Sequence, residues 1–532
     1  MKQLSNIIIT ALLLFAGAAK AQVYVNVNAT GANNGSSWTN AYTSILEAMD
    51  AALSGDDLWV AQGTYYLHQG GPQGDSSIWL KTGVNLYGGF IGTETTLTQR
   101  DWENNATIFD GYNSASGTFS SVHIIVADNV TNCTLDGFIL QHADSYNGHA
   151  TELDPVACSN ASGGGGSGST SASAVLNCVS SGGGLLINQS DPVINNCIIR
   201  DNLAKKGGGA YIMVSTSVSP GTFPAPTFYN CEFSNNLAQK RGGAISLDLY
   251  TNPTFTNCRF IGNTCDSKGG AFYLDWDCDP VLTNCLLVEN FAERGGAMAI
   301  DGSSNPVLTN CTVTNNSALD IGAGLYTGSY NTSLSNANVV TITNSIVWGN
   351  RAQWGGPVDF AIWHENHFDL TYSVVGLGFV SSGVGNITIN PMFVDTANGD
   401  YSLQAGSPCI NTGTTVGAPS HDLNDTIRDS NPDMGVYEYS SVVSSITQKQ
   451  ATLEAMSLKA FPNPTTGLLT VDLGATYEQV VVTVTSLIGQ VVYNGNYSAV
   501  QQLNLEFEAA SGVYFVKVKT EKTEATVKVI KN

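Results

Sequence analysis

The strongest constraint on this chain is a phrase that its middle third repeats five times. Each copy places a proline five residues before the cysteine of an Asn-Cys pair, and an asparagine five residues after that cysteine. The copies recur every 26 to 34 residues. A period in this range is typical of repeat architectures, in which stacked units bury a core that no single repeat can bury alone. The five cysteines are Cys197, Cys231, Cys258, Cys285 and Cys311.

Each copy also carries an alternating apolar pattern around its cysteine. The apolar residues stand two positions after the proline, at the cysteine and two positions after it, so the last two share the inward face of a short strand. A proline can begin such a strand, and asparagine tolerates tight corners and can stack its amide on the next coil. The triplets are Ile194/Cys197/Ile199, Phe228/Cys231/Phe233, Phe255/Cys258/Phe260, Leu282/Cys285/Leu287 and Leu308/Cys311/Val313.

A Gly-Gly-Ala segment predicts a second strand in four of the five copies, at 210–214, 244–248, 271–275 and 297–301. Short strands at a regular period, with no helical pattern between them, favour a parallel β-helix over a doubly wound sheet. The fold class is therefore all-β. The pairs expected to point inward are Tyr211/Met213, Ile245/Leu247, Phe272/Leu274 and Met298/Ile300.

These copies resemble the polymorphic outer-membrane-protein repeats, whose hallmarks are Gly-Gly-Ala-aliphatic and Phe-x-x-Asn. Phe233-Ser-Asn-Asn236 followed by Gly242-Gly-Ala-Ile245 matches both hallmarks. The resemblance implies a right-handed, pectate-lyase-like β-helix on a bacterial surface.

Charge and the N-terminus point to an exported protein. The net charge of −22, with only 21 lysines and arginines, argues against nucleic acid or an anionic membrane as a partner. Lys2, an apolar run over 7–16 and Ala19-Lys-Ala21 predict a signal peptide over 1–21, so that the mature chain begins at Gln22. No transmembrane segment is expected after it.

Eleven cysteines in an exported chain raise the question of disulfides. The repeated cysteines are interpreted as small buried hydrophobic residues stacked coil on coil. Cys158 and Cys178 bracket a Gly/Ser-rich insert at 159–175, where a bridge could staple a loop. Cys265 and Cys278 flank an extended strand of roughly 23 Å, which is too long for a disulfide.

Both ends of the coil carry distinctive segments. Residues 22–83 are expected to form a cap and first coil, in which Ser44 and Glu47 make a capping box. Its helix would cover the open end of the β-helix, as in the N-terminal cap of secreted bacterial β-helix proteins that the stretch resembles. The residues of its apolar face are Ile45, Met49, Ala52 and Leu53.

The β-helix is expected over 84–439, with a closing segment at about 390–439. Gly406-Ser-Pro-Cys-Ile-Asn-Thr-Gly413 and Asp433-Met-Gly-Val-Tyr-Glu438 resemble the choice-of-anchor segment that closes such β-helices. A Ser/Thr/Gln-rich linker follows at 440–457.

The last segment, 458–532, reads as a separate small β-sandwich of alternating β-branched strands. Its Phe461-Pro-Asn-Pro start, its Gly512-Val-Tyr-Phe-Val516 strand and its lysine-rich end resemble the C-terminal sorting domain of the Bacteroidetes type IX secretion system. The resemblance implies the type IX machinery as a partner, and a secreted or outer-membrane surface location.

Three consecutive copies carry an aspartate four residues after the Gly-Gly-Ala alanine: Asp248, Asp275 and Asp301. The preceding copy has Val214 there. Because their neighbours are expected to point inward, these aspartates should point outward, about 4.8 Å apart. Such carboxylates repel one another by several kcal/mol at an effective dielectric near ~20. Hydration, a raised pKa or a bound cation would relieve that repulsion.

Two interpretations of the aspartates remain open. Asp275, Asp277 and Asp301 could hold Ca²⁺ that bridges an acidic polysaccharide, with Asp248, Asp275 and Asp301 as catalytic candidates. The alternative is a solvated acidic stripe without a ligand.

A basic ladder precedes the glycine pairs and is a candidate for binding sulfated or uronic glycans, or for solubility alone. Each member lies about seven positions from the corresponding aspartate, or roughly 23 Å along a straight strand. The two ladders can share one centre only if the chain bends between them. The ladder consists of Lys206, Arg241, Lys268 and Arg294.

Smaller motifs add weaker hypotheses. His364 and His367 face opposite sides of a strand, which disfavours a joint metal site, whereas Glu365 and His367 share a face and form an acid/base candidate. Asp395-Thr-Ala and Asp425-Thr-Ile fit a short O-glycosylation pattern of Bacteroidetes.

The sequence thus favours a secreted, non-catalytic protein that binds glycans or mediates adhesion. The alternative is a polysaccharide lyase or glycoside hydrolase that acts on acidic polysaccharide with Ca²⁺. The sequence contains neither a Gly-x-Ser-x-Gly nor a His-Glu-x-x-His motif that would support a catalytic role.

Overall fold

The computed structural model describes residues 22–68, 77–113, 121–146, 180–214, 225–328, 337–354, 359–362, 366–376, 383–440, 458–463, 465–486, 491–510, 512–520 and 524–531. The predicted signal peptide, the insert with Cys158 and Cys178, His364, Glu365 and nearly all of the linker lie outside them. The chain divides into a first compact unit that ends at Tyr439 and a second that begins at Ser440.

The first unit winds parallel strands into a β-helix with four sheets, as far as the described residues show. Strands of successive coils are neighbours, so each sheet runs along the coil axis. The first sheet contains Gln22–Val25, Asp57–Ala61, Asn85–Phe90, Thr134–Asp136, Val193–Asn195, Thr227–Tyr229, Thr254–Thr256, Val281–Thr283, Val307–Thr309, Val339–Thr343 and His367–Thr371. The second contains Gly63–His68, Thr107–Asn113, Ile139–Gln141, Ile198–Arg200, Glu232–Ser234, Arg259–Ile261, Leu286–Val288, Thr312–Thr314, Ile346–Trp348 and Val374–Val375.

The other two parallel sheets have fewer strands and complete the central coils. The third sheet contains Ile78–Trp79, Ile125–Asp128, Leu185–Asn188, Ala210–Met213, Ile245–Asp248, Phe272–Asp275, Met298–Ile300, Leu325–Thr327 and Phe360–Ile362. The fourth sheet contains Leu203–Lys206, Leu237–Arg241, Thr264–Cys265, Phe291–Arg294, Ser317–Ile321 and Arg351–Ala352. Outside these sheets, Phe393–Asp395 pairs with Asp400–Leu403 in an antiparallel hairpin, and short 3₁₀ helices span Leu97–Gln99 and Thr396–Asn398.

The predicted apolar triplets lie in the core, as expected. Phenylalanines of neighbouring coils stack, with ring centroids 4.8 Å apart for Phe228 and Phe255. Every cysteine in the described part of the chain is a buried free thiol, which confirms the hydrophobic interpretation and leaves Cys265 and Cys278 unbridged. Cys258 Sγ, for example, lies 3.6 Å from the carbonyl oxygen of Phe228 in the previous coil.

A buried asparagine ladder closes the corner after the second sheet, as predicted. Asn236 Nδ2 donates to Asn263 Oδ1 at 3.0 Å and to the carbonyl oxygen of Ile199 at 2.8 Å, so one side chain joins three coils. The same contacts recur along the ladder until Asp359, whose Oδ1 accepts from Asn350 Nδ2 at 2.7 Å. The sequence analysis did not anticipate this aspartate. Such contacts satisfy backbone groups that would otherwise be buried unpaired.

One predicted orientation is wrong. In the third sheet Ala210 pairs with Ile245 and Tyr211 with Ser246, so Ala210 and Ile212 face the core while Tyr211 and Met213 face outward. The cause is a third glycine at 207–209, which shifts this strand by one residue relative to the other copies. Met213, rather than Val214, therefore stands in register with Asp248.

The first unit begins with the predicted helix, which spans Ile45–Ala51. Ile45, Ala48 and Met49 pack into the β-helix core, whereas Leu53 lies beyond the helix and is 72% exposed, contrary to the predicted face. Ser44 Oγ accepts from Glu47 N at 3.4 Å, but Glu47 Oε2 accepts from Asn33 Nδ2, so only half of the predicted capping box is seen.

The second unit consists of antiparallel strands in two sheets. Its core is built from alternating aliphatic residues such as Val471, Val482 and Val516. No helix among the described residues of either unit is long and apolar enough to cross a membrane. One sheet contains Lys459–Phe461, Leu468–Tyr477 and Val500–Glu506, and the other Val480–Ser486, Val491–Tyr497, Gly512–Thr520 and Glu524–Lys531.

Candidate functional site

The three candidate catalytic aspartates end neighbouring strands of the third sheet. Leu247 and Leu274 point into the core, so the adjacent aspartates lie on the outer face, as predicted. Their side chains are nevertheless covered: Asp248 is 1% exposed, Asp275 4% and Asp301 0%. The prediction of a solvated acidic stripe is therefore wrong, because these carboxylates are removed from water.

Protein cations lie beside the aspartates. Lys206 Nζ lies 3.8 Å from Asp248 Oδ2, and Arg241 NH1 lies 3.0 Å from Asp275 Oδ2. Lys268 Nζ similarly lies 2.7 Å from the third aspartate, Asp301. We call these six residues the charge row. Each cation reaches the aspartate of the next coil.

A bend explains why the straight-strand separation of roughly 23 Å does not hold. The glycine pair after each basic residue turns the chain from the fourth sheet into the third. Gly242 has φ +60°, and a Cβ there would collide with the carbonyl oxygen of Ile245. Glycine is thus required at this turn. The bend brings together two ladders that the sequence alone leaves far apart.

Tyrosines on the same face of the third sheet lie beside the charge row. On the outer face of the third sheet, large Tyr211, Tyr273 and Tyr326 alternate in register with small residues of the intervening coils, such as Ser246 and Ala299. This alternation is visible in the sequence once the register is known, but the sequence analysis did not use it.

The tyrosine hydroxyls bind the carboxylates directly. Tyr211 donates to Asp248 Oδ2 at 3.0 Å, and Tyr273 Oη lies 3.0 Å from Asp301 Oδ2 and 3.3 Å from Asp275 Oδ2. The Arg241 guanidinium carbon also lies 4.7 Å from the centroid of the Tyr273 ring, within reach of a cation–π contact.

Burial dominates the electrostatics of the charge row. It raises the pKa of Asp248 to about 7, although Lys206 opposes the shift, and it raises the pKa of Asp275 against the effect of Arg241. Burial likewise lowers the pKa of Lys206. Among the described residues, Asp248 Oδ1 accepts no hydrogen bond, which further disfavours its charged form.

Two other predicted site residues do not join the charge row. Arg294 is on the surface and pairs with Asp320, with 2.8 Å between Nε and Oδ2. Asp277 lies at a left-handed bend beyond its strand, where burial and Asp279 raise its pKa. In the described part of the chain, no three His, Cys, Asp or Glu side chains converge as metal ligands, so Asp275, Asp277 and Asp301 are not gathered into a Ca²⁺ site.

The smaller motifs lie at the surface. His367 Nε2 is 3.8 Å from Asp369 Oδ1, and its proposed partner Glu365 lies outside the described residues. Thr396 of the first glycosylation motif is exposed at the start of a 3₁₀ helix, whereas Thr426 of the second is half-buried.

The closing segment forms a groove that the sequence analysis missed. The groove lies between the ends of second-sheet strands and the hairpin at 393–403, and has a volume of about 420 Å³. Among the described residues that line it, none is charged. Its side chains include Thr314, Asn315, Trp348, Asn390, Phe393 and Gln404.

Local hydrogen bonds fix the polar side chains of the groove. Thr314 Oγ1 donates to the carbonyl oxygen of Trp348 at 2.6 Å, across the pair of strands that carries both residues. Gln404 Nε2 donates to the carbonyl oxygen of Phe393 at 2.7 Å, and Asn390 Oδ1 accepts from the backbone of Met392 at 2.9 Å. The groove is therefore preformed rather than assembled from loose side chains.

The wall of the groove is anchored to the coil by apolar and ionic contacts. Tyr401 and Val436 pack on the second sheet at Leu286. Arg428, which is buried, donates to Glu438 Oε2 at 3.0 Å and to Asn284 Oδ1 at 3.0 Å. The closing segment is thus part of the folded body of the β-helix.

Comparison with known proteins agrees with this architecture. Residues 221–371 match the family described as the right-handed beta helix region, and residues 459–532 match the secretion system C-terminal sorting domain. The chain is a right-handed parallel β-helix protein sorted by the type IX secretion system. The sorting domain indicates export of the β-helix protein to the cell surface or the extracellular space.

Among solved structures, the β-helix protein is similar to the crystal structure of pectate lyase Pel9A, with 15% identity and a TM-score of 0.49 over 80% of this chain and 98% of the other. It is also similar to the complex structure of XylC with xylose, with 9% identity and a TM-score of 0.35 over 96% and 100%. No curated protein matches its sequence significantly. None of these likenesses assigns an activity.

Proposed function

We propose that the protein is a non-catalytic carbohydrate-binding protein, displayed or released outside the cell, and that its binding site is the groove beside the closing segment. The observation that carries the proposal is the combination of Trp348 with three amide side chains in one preformed groove.

The chemistry of the groove suits a sugar. A pyranose ring has an apolar C–H face and a rim of hydroxyls, which match an indole surface and amide or hydroxyl groups respectively. The groove volume of about 420 Å³ falls within the usual range for small-molecule sites. Because the groove is open at the surface, a sugar unit within a longer chain can enter it.

The environment of the charge row disfavours the alternative of a polysaccharide lyase or glycoside hydrolase that uses its aspartates. A general base must reach the proton of a bound substrate, and a calcium ion needs oxygen ligands that are not already paired. Asp248, Asp275 and Asp301 are buried and held by cations or tyrosines of neighbouring coils. These carboxylates are therefore engaged by other side chains of the protein and are not available to a substrate or a calcium ion.

Calorimetric titration of the full mature chain with soluble polysaccharides tests the proposal. Trp348→Ala should weaken binding about tenfold or more, whereas Trp354→Ala, which removes a tryptophan that is 73% exposed and does not line the groove, should leave it unchanged. Far-UV circular dichroism confirms that both variants are folded. Equal affinity for all three proteins would place binding elsewhere.

A second assay addresses catalysis. Incubation with acidic polysaccharides, with and without Ca²⁺, should release neither unsaturated nor shortened products. Such products would overturn the non-catalytic assignment.

A further inference from the structure

We infer that the groove selects uncharged sugars and discriminates against uronate and sulfated glycans. The inference rests on the proposed function, since it names the ligand class of the same site. It departs from the acidic polysaccharides that the basic ladder first suggested.

The side chains of the groove offer hydrogen-bond acceptors that suit the hydroxyls of a sugar. Gln404 Nε2 donates to two backbone carbonyls, of Phe393 at 2.7 Å and of Val394 at 3.5 Å. Thr314 donates its hydroxyl proton to the carbonyl of Trp348, so each side chain presents an oxygen acceptor to a ligand. A sugar hydroxyl can donate to these acceptors and also accept from the Asn390 amide, whose oxygen is engaged by the backbone of Met392. A carboxylate or sulfate accepts only, and would face those oxygens without a proton to share.

The charge around the groove also disfavours an anionic ligand. Anion recognition in proteins relies on arginine or lysine, and the described residues that line this groove include neither. Three charged residues lie close to the lining along the chain: Asp395 directly precedes Thr396, Asp400 lies in the other strand of the same hairpin, and Arg351 follows Gly349 by two residues. Both aspartates are exposed.

A third carboxylate flanks the groove through one hydrogen bond. Tyr401 donates to Glu289 Oε1 at 3.1 Å and also contacts the side chain of Asn315, which lines the groove. Three carboxylates and one arginine, Arg351, thus stand around an uncharged site in a protein of net charge −22, so the surrounding charge is negative on balance. An anionic glycan meets repulsion there, whereas a neutral glycan does not.

Three of the four residues of the basic ladder lie away from the groove. Lys206, Arg241 and Lys268 belong to the charge row on the third sheet and are paired with its aspartates. The groove lies beside the second sheet instead. These three basic residues, which suggested an acidic ligand, are therefore engaged in ion pairs on another sheet.

Calorimetry on the full mature chain tests the inference with neutral oligosaccharides of glucose and of mannose, against oligogalacturonate and dextran sulfate. We expect at least one neutral probe to bind, and to bind about tenfold or more tightly than either anionic probe at low salt. Raised ionic strength should narrow the gap, because it screens the carboxylates.

Two variants sharpen the test. Met392→Lys places a cation at the groove and should raise the affinity for oligogalacturonate severalfold, with neutral binding largely retained. Asp395→Asn, next to the lining residue Thr396, should also raise the affinity for oligogalacturonate. Asp425→Asn, an equal charge change at an exposed residue with no lining residue beside it in sequence, should not.

The outcomes separate the two claims. Equal or tighter binding of an anionic probe, lost in Trp348→Ala, overturns the selectivity while the carbohydrate-binding function stands. Absence of binding by every probe, neutral and anionic, overturns the proposed function and the selectivity together.

Discussion

The charge row and the groove are two regions of the same β-helix with opposite chemistry. The charge row concentrates ionisable side chains on the third sheet, buries them and pairs each carboxylate with a cation or a tyrosine. The groove beside the second sheet is open and uncharged in its described lining. Clustered charges on a solenoid can therefore be structural, because stacking places them close enough to satisfy one another. Binding chemistry is then left to neutral side chains.

The largest expected effect comes from breaking one pair of the charge row. Arg241→Met leaves Asp275 buried without its partner 3.0 Å away, so the free energy of unfolding should fall by about 3–5 kcal/mol. Urea unfolding measures the change. Arg294→Met, at a half-exposed surface pair, is the matched control and should cost less than about 1 kcal/mol. Similar losses in both variants would contradict a structural charge row.

The next effect is on pH dependence. Asp248 has a pKa of about 7 when folded and 3.8 as its reference value, so the folded state binds its proton more tightly. The stabilisation that this bound proton gives the folded state is complete below about pH 4 and is lost as the pH rises through 7. Asp248→Asn should remove that loss, which is on the order of 3 kcal/mol between pH 5 and 8.

Urea midpoints of the wild type and of Asp248→Asn at both pH values give the comparison. Lys206, Tyr211, Arg241 and Asp275 face the same carboxylate and remain in the variant. A pH slope that is identical in the two proteins would show that Asp248 does not titrate in this window.

A smaller loss is expected from the tyrosines. Tyr273→Phe removes the hydroxyl that lies 3.0 Å from Asp301 and 3.3 Å from Asp275, and should lower the free energy of unfolding by about 2 kcal/mol. Tyr229→Phe, on an exposed position of the first sheet, should change it by less than about 0.5 kcal/mol. Thermal or urea unfolding distinguishes the two, and equal stabilities would mean that the hydroxyl of Tyr273 contributes nothing.

The smallest effect on stability is expected in the groove. Gln404 is exposed, so Gln404→Ala should change the free energy of unfolding by less than about 0.5 kcal/mol, while carbohydrate affinity falls severalfold. Unfolding and calorimetry on the same preparation give both values. Loss of stability without loss of binding would reverse the contrast between groove and charge row.

Much of the β-helix was predictable because its determinants are local and repeated. The inward position of Cys258 and Phe260 follows from strand alternation, and the stacking of Asn263 follows from its fixed place after each cysteine. The orientation of Tyr211 was not predictable by matching copies, since one additional glycine shifts its strand by a residue and reverses every side chain.

The groove was beyond prediction for another reason. Thr314 and Trp348 come from neighbouring coils, while Phe393 and Gln404 come from a segment folded back onto them. No local pattern links these positions. Asp359, which ends the asparagine ladder, is likewise placed by its contact with Asn350 rather than by any repeat.

The repeating coil, most of its inward residues and the sorting domain follow from the sequence alone, because each depends on periodicity or on a continuous motif. The tertiary structure alone decided the partners of the charged residues. Parallel stacking brings residues 33 or 34 positions apart, such as Lys268 with Asp301 and Arg241 with Asp275, to within hydrogen-bonding distance. The glycine bend between the fourth and third sheets brings each cation to the aspartate of the next coil. Spacing along the chain therefore could not reveal that the acidic and basic ladders are one buried structure.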